Sequence, residues 1–155
     1  MIVRFIEFMD VGTKNGWDLS QVIPSREIID RIGEKFSLEP ADANYKGEVA
    51  SRYRYLDGEG EIGVISSVTE PFCGDCTRAR LSTDGKLVTC LFASGGIDLK
   101  TPMRDGASDE ELLELITSTW TNRSDQYSQL RSSDTDFAAP TDGDGDKVEM
   151  YYIGG

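Results

Sequence analysis

From Val3 to Met9 apolar residues fall on both alternating faces, with one charge on each, Arg4 and Glu7. That pattern predicts a strand buried on two sides, as in a parallel barrel. Asp10 to Trp17 reads as a loop, broken by Gly12, Asn15 and Gly16. The period then changes. Ile28, Ile29, Ile32 and Phe36 recur at helical spacing behind Ser25, which predicts a helix capped by Ser25 and stopped by Pro40. Ala50 to Leu56 and Glu61 to Val68 flank Asp57-Gly58-Glu59-Gly60, the pattern of a hairpin. A second hairpin follows the Pro71 corner, and together they predict a small antiparallel sheet. Ser108-Asp109-Glu110-Glu111 is a capping box, and Leu112, Leu113, Ile116 and Trp120 behind it form an apolar face to pack on that sheet. From Ser124 to Asp146 hydrophobic residues are sparse and Ser, Asp, Gly and Pro dominate, which predicts a mobile linker. Lys147 to Ile153 alternates as a strand, before a bare Gly154-Gly155.

Candidate chemistry is concentrated in the second hairpin, Pro71 to Leu91. It holds all three cysteines, Cys73, Cys76 and Cys90, interleaved with Arg78 and Arg80. The spacing of Cys73 and Cys76 lets both sulfurs turn onto one metal centre. Structural zinc wants four Cys or His ligands, and the chain has no histidine and no fourth cysteine. An iron–sulfur cluster held by three thiolates keeps one iron for another ligand. The bland alternative is small buried cysteines, or one disulfide with a thiol left over. Cys76, Arg78 and Arg80 share parity, so an extended segment points all three to one face. Where Cys90 falls depends on the turn. A two-residue Asp84-Gly85 turn sets it opposite Ala79, and a three-residue loop, Thr83 to Gly85 with Gly85 left-handed, sets it opposite Arg78. The second is the expectation. Solvated strand charges are an equally good account of the arginines from pattern alone.

A chain of 155 residues with 38% hydrophobic residues fits one domain with a thin core. The net charge of -12 argues against a nucleic-acid or anionic-membrane surface. Acidity is uneven: residues 105–146 carry eleven Asp and Glu against two Arg, whereas residues 73–90 carry three basic and two acidic side chains. A locally positive hairpin in a negative molecule suits a triphosphate. Tyr53 and Tyr55 alternate with Arg52 and Arg54, a pattern better read as a half-buried strand than as a nucleic-acid stacking surface. The acidic run from Asp142 to Asp146 lacks calcium-loop logic, because Ile153 stands where a bidentate Glu is required. No apolar run approaches the roughly eighteen residues of a membrane span. With no export signal and thiols committed to metal, the expected location is the cytoplasm.

Several stretches together carry a resemblance. They are Arg4 to Gly12; Gly47 to Ala50 with Arg52 to Tyr55; Gly63 to Thr69; Pro71 to Ser82; Asp84 to Leu87; Cys90 to Ala93; and Ile153 to Gly155. The chain resembles the molybdenum cofactor biosynthesis protein A family, the GTP 3',8-cyclases. The resemblance implies a radical S-adenosylmethionine enzyme with two 4Fe-4S clusters: an N-terminal one that cleaves S-adenosylmethionine and a C-terminal one that binds GTP through its open iron. It implies Cys73, Cys76 and Cys90 as ligands of the C-terminal cluster, and Arg78, Arg80 and Arg4 as substrate-binding groups. Gly154 and Gly155 match a tail that reaches into the active site. The implied fold is α+β: the last strand of an incomplete TIM-type barrel with its helix (1–46), cluster-binding hairpins and a packing helix (47–123), an acidic linker (124–146), and a C-terminal strand and tail (147–155). Cyclic pyranopterin monophosphate synthase would be the downstream partner.

One departure is plain. The family's radical cluster sits on a C-x-x-x-C-x-x-C motif, which this chain lacks. The chain therefore looks like the C-terminal half of such an enzyme, inactive alone, with a strand edge near Phe5 that invites homodimerisation. Two rival classes remain at this point: a ubiquitin-like Gly-Gly sulfur carrier, which leaves the cysteines and arginines unexplained, and a metal-bound interaction module, which leaves the arginines without a task.

Overall fold

A computed structural model describes residues 2–133 and 147–153. These residues fall into two compact units, one of residues 2–9, 17–76 and 128–133, the other of residues 10–16, 77–127 and 147–153. The architecture is α+β.

The first unit is built on a mixed four-stranded sheet in the order β1-β4-β3-β2. β1 (Val3–Ile6) runs parallel to β4 (Glu61–Ile65), while β3 (Ser51–Tyr55) is antiparallel to β4 and to β2 (Leu38–Ala41). β4 is the central strand, and Ile62 and Val64 are its buried residues of greatest bulk. The expected hairpin is present, closed by Tyr55 N–H donating to Gly60 O at 3.0 Å. β1 does not have the expected burial on both faces: Val3 and Ile6 are exposed, Ile6 at 56%. It is an edge strand, with only β4 beside it among the described residues.

Helix α1 (Ser25–Gly33) begins one residue earlier than expected, with Pro24 rather than Ser25 at the N-cap position. It also stops well before Pro40. That proline sits in β2, opposite Tyr53, and the strand tolerates it because β2 is the other edge of the sheet, where no neighbour asks for its missing N–H. Tyr53 and Tyr55 are half-buried, as a sheet strand requires.

The second unit holds a three-stranded antiparallel sheet, β5 (Arg80–Leu81), β6 (Lys86–Val88) and β7 (Ile97–Asp98). Arg80 pairs with Val88 and Leu81 with Leu87, so the loop is the three-residue form, Thr83 to Gly85. Gly85 adopts φ 85°, the left-handed conformation that glycine reaches without penalty. Ser82 N–H donates to Lys86 O at 2.9 Å, and Asp84, accepting from Ser82 Oγ at 2.5 Å, closes the turn. Bonds from Ser82 and from Tyr152 hold the Asp84 carboxyl down to about 2. Val88 is the most completely buried large side chain of the described residues.

Two helices follow, α2 (Lys100–Arg104) and α3 (Asp109–Thr121). The capping box at α3 is present: Glu111 N–H donates to Ser108 Oγ at 3.2 Å and Ser108 N–H to Glu111 Oε2 at 2.7 Å. The expectation that Leu112, Leu113, Ile116 and Trp120 pack inward as one face is not met. Leu112, Leu115 and Thr119 are half-buried, while Leu113, Ile116 and Trp120 are exposed on the neighbouring face. Helix α4 (Tyr127–Ser133) occupies part of the stretch read as linker, and the rest of that stretch, 134–146, lies outside the described residues. Lys147 to Ile153 is not the expected strand. Among the described residues it makes one backbone bond to another segment, Val148 N–H to Ala93 O at 2.9 Å, then coils into a 3-10 turn, Met150–Tyr152, followed by the buried Ile153. Gly154 and Gly155 lie outside the described residues. Among the described residues, no helix is long and apolar enough to cross a membrane.

Candidate functional site

In the first unit, Cys73 and Cys76 are the two ends of a single tight turn. Cys73–Asp75 is a 3-10 turn, and Cys76 N–H donates to Cys73 O at 3.3 Å. The turn therefore holds the backbones of the two paired cysteines in one hydrogen-bonded ring. Cys76 itself has extended backbone, φ -70° and ψ 117°.

That turn hangs from a segment fixed by Glu7. The side chain is 3% exposed, and its carboxylate accepts from Ser25 N and Val68 N, from Thr69 N, all at 2.8 Å, and from Thr69 Oγ at 2.6 Å. Burial pushes the Glu7 carboxyl up, but the bonds from Thr69, Ser25 and Val68 outweigh it and hold the group below its ordinary 4.5. Glu7 was one of two charges in an apolar strand, and the sequence reading gave a role only to the other. The signal was there: a carboxylate where a strand should be buried needs several donors.

Arg4, the other charge, is paired. Its Nη2 lies 3.1 Å from Glu48 Oε1, and the Glu48 side chain is fully buried and also accepts from Asn44 N at 2.7 Å. The stem of Arg4 crosses Gly63, its strand partner, where an added Cβ would stand 3.4 Å from Arg4 Cγ.

In the second unit, Arg78 and Arg80 are half-buried and precede the turn, and Cys90 follows β6. Continuing the Arg80–Val88 register outward sets Arg78 across from Cys90, as the three-residue loop predicts, although the ladder itself ends at Arg80 and Val88. Cys90 begins a turn of its own, with Phe92 N–H donating to Cys90 Sγ at 3.5 Å and Ala93 N–H to Cys90 O at 3.3 Å.

A polar cluster beside that turn has no local signature in the sequence. Tyr127 Oη donates to Asp10 Oδ2 at 2.5 Å, and Lys147 Nζ donates to Tyr127 Oη at 2.6 Å, to Asp10 Oδ2 at 3.1 Å and to Asp10 O at 3.1 Å. The Phe92 ring stacks on Tyr127, centroids 4.6 Å apart. These residues lie too far apart in sequence for any spacing rule to join them.

None of the three cysteines is in a disulfide, and all are half-buried. The donor chemistry, three thiols of which two share one turn, fits an iron–sulfur cluster with an open iron. Among the described residues no three Cys, Asp or Glu side chains are already gathered closely enough to hold a metal ion.

Comparison with known proteins covers the same ground. Residues 1–129 match the family model described as Molybdenum Cofactor Synthesis C. The chain is 47% identical over 172 residues to a GTP 3',8-cyclase of Acidothermus cellulolyticus, covering 99% of this chain and 48% of that protein. It is 49% identical over 154 residues to the GTP 3',8-cyclase of Xanthomonas campestris, covering 99% and 43%. The corresponding figures for that of Staphylococcus saprophyticus are 45% over 154 residues, 99% and 44%. The chain thus spans about half the length of the curated relatives it matches. With the matched span taking in Arg4, Cys73, Cys76, Arg78, Arg80 and Cys90, the chain belongs to the Molybdenum Cofactor Synthesis C family.

Proposed function

We propose that this chain is the GTP-binding part of a GTP 3',8-cyclase in molybdenum cofactor biosynthesis. The observation that carries the reading is 47–49% identity, along 99% of this chain, with enzymes of that name, over a span that includes all three cysteines and both hairpin arginines. Cys73, Cys76 and Cys90 would hold a 4Fe-4S cluster, and its open iron would supply a Lewis-acid position for the guanine. Arg78 and Arg80 clamp the phosphates by charge-assisted bonds, which fixes the ribose relative to the base. Arg4 serves the same substrate by exchanging its Glu48 partner for a phosphate oxygen. Gly154-Gly155, without side chains, would leave room for the substrate if the tail reaches it as the family resemblance implies.

With three thiols assigned to one cluster, no cysteine of this chain is left for a second. Cleavage of S-adenosylmethionine at another 4Fe-4S cluster therefore falls to residues outside these 155, and the chain alone has no cyclase turnover. A cyclic pyranopterin monophosphate synthase would consume the product. The setting is the cytoplasm, where thiols stay reduced.

Anaerobic reconstitution tests this directly. The chain should take up about four iron and four labile sulfide, and Cys90→Ala should lose them. Arg80→Ala should keep the cluster and weaken GTP binding at least tenfold, the equivalent of about 1.4 kcal/mol. Zinc in place of iron, or GTP affinity unchanged in Arg80→Ala, would sink the reading.

A further inference from the structure

We propose that Lys147 is a positioning residue for Cys90, acting through Asp10, Tyr127 and Phe92, so that the C-terminal segment and the third thiol move as one. The inference rests on reading Cys90 as a cluster ligand for its purpose, but not for its test.

Every part lies in the second unit. Lys147 Nζ has three oxygens within 3.1 Å: Tyr127 Oη, Asp10 Oδ2 and Asp10 O. It also stands 4.5 Å from the centroid of the Tyr127 ring and 5.8 Å from that of Phe92. Its side chain is 17% exposed and that of Asp10 12%, so the pair is shielded well enough for geometry to matter. Tyr127, held at its hydroxyl by both, presents its ring face to Phe92. Phe92 is two residues from Cys90 and donates its backbone N–H to Cys90 Sγ. The next residue, Ala93, is held from the same C-terminal segment by Val148 N–H. Loop 90–93 is thus fixed at its ring and at its backbone.

A second clasp fixes the segment itself. The Glu149 carboxylate accepts from Thr13 N at 2.9 Å and Thr13 Oγ at 3.0 Å, and Lys14 Nζ reaches Tyr151 Oη at 3.4 Å. Gly12, at φ 70°, lets the carboxylate lie against the backbone, since an added Cβ would stand 2.7 Å from Glu149 Cδ. Loop 10–14 is therefore the common anchor for residues 147–151. A thiol on an otherwise short turn gains a fixed direction from a segment more than fifty residues away.

The test is the rate at which iodoacetamide alkylates each cysteine in the metal-free chain, read by mass spectrometry. Lys147→Met keeps the stem and removes the ammonium. It should speed alkylation of Cys90 about tenfold, the change that about 1.4 kcal/mol of lost clamping produces, and leave Cys73 unchanged. Tyr127→Phe keeps the stacked ring and loses only the hydroxyl, so it should give a smaller rise at Cys90 alone. It carries the test if Lys147→Met fails to fold. A Cys90 rate equal to the parent chain's, or an equal rise at Cys73, overturns the proposal. In the reconstituted chain, Lys147→Met should also change the electron paramagnetic resonance signature of the reduced cluster. If the parent chain takes up no iron, the cluster reading fails while the alkylation ratio still decides the positioning role.

Discussion

Glu7 accepts four hydrogen bonds inside the protein, and an amide in its place cannot do so. Glu7→Gln turns an NH2 group toward donors, leaving at least one of Ser25 N, Val68 N or Thr69 N unpaired. The expected loss is about 2–3 kcal/mol, read as a lower urea midpoint. The acid side follows from the direction of the shift. The folded pKa lies below the ordinary 4.5, so the Glu7 contribution is complete above about that pH and is lost as pH falls through the lowered value. Urea midpoints should drop below pH 4.5 in the parent chain and drop less in Glu7→Gln. At this scale the sequence was half legible. It marked Arg4 and Glu7 as charges needing a reason, but the donors that satisfy Glu7 come from Ser25, Val68 and Thr69, which no local pattern joins to it. Lys147, Asp10 and Tyr127 were hidden for the same reason.

Among the elements, the hairpin that carries the arginines depends on one backbone conformation. Gly85 is left-handed, and a Cβ there would stand 2.6 Å from Lys100 Cβ, so Gly85→Ala meets strain and a collision at once. It should cost about 1–2 kcal/mol from the left-handed backbone alone. Because a one-residue change of loop reverses the strand faces, the nuclear Overhauser contact between Arg80 and Val88 should weaken in the variant. An unchanged contact and stability would show that the loop does not set the register. This register was legible, because loop length and Gly85 together leave few choices. The missed elements have physical reasons too. Pro40 was read as a stop, but a proline is equally at home on an edge strand, and edge position is a property of the finished sheet. Lys147 to Ile153 alternates like a strand, yet its polar side chains Lys147 and Glu149 are committed to loop 10–14, which draws it away from a ladder. In α3 the capping box was certain from four residues, whereas which apolar residues face inward was not, because adjacent leucines, Leu112 and Leu113, leave the face ambiguous.

At the scale of the whole molecule, β1 is an apolar strand with one neighbour among the described residues, and Val3 and Ile6 on it, with Ile2 just before it, are exposed. An apolar edge with unpaired backbone groups invites pairing with a second chain. Self-association should appear in light scattering as concentration rises, and Ile6→Lys should reduce it. A chain that stays monomeric at high concentration would show the edge to be protected. Composition had suggested a thin core, and the described residues bear this out: the buried hydrophobic side chains are mostly valine, with Val11, Val64, Val68, Val88 and Val148 among them. What composition could not reveal is that the chain has two packing centres, since that depends on which loops close on which sheet.

The parallel pairing of β1 with β4 also sets an order of events. Val3 lies opposite Ile62, so roughly sixty residues of chain must be closed into a loop before that ladder can form. The β3–β4 hairpin closes over only Leu56 to Gly60 and can form early. β1 is thus the last strand of its sheet to dock and the first to detach, so its amides should exchange with solvent fastest in the sheet. During synthesis, Val3 to Ile6 cannot pair with β4 until Glu61 to Ile65 have also been made, so this ladder is always completed after the β3–β4 hairpin can close.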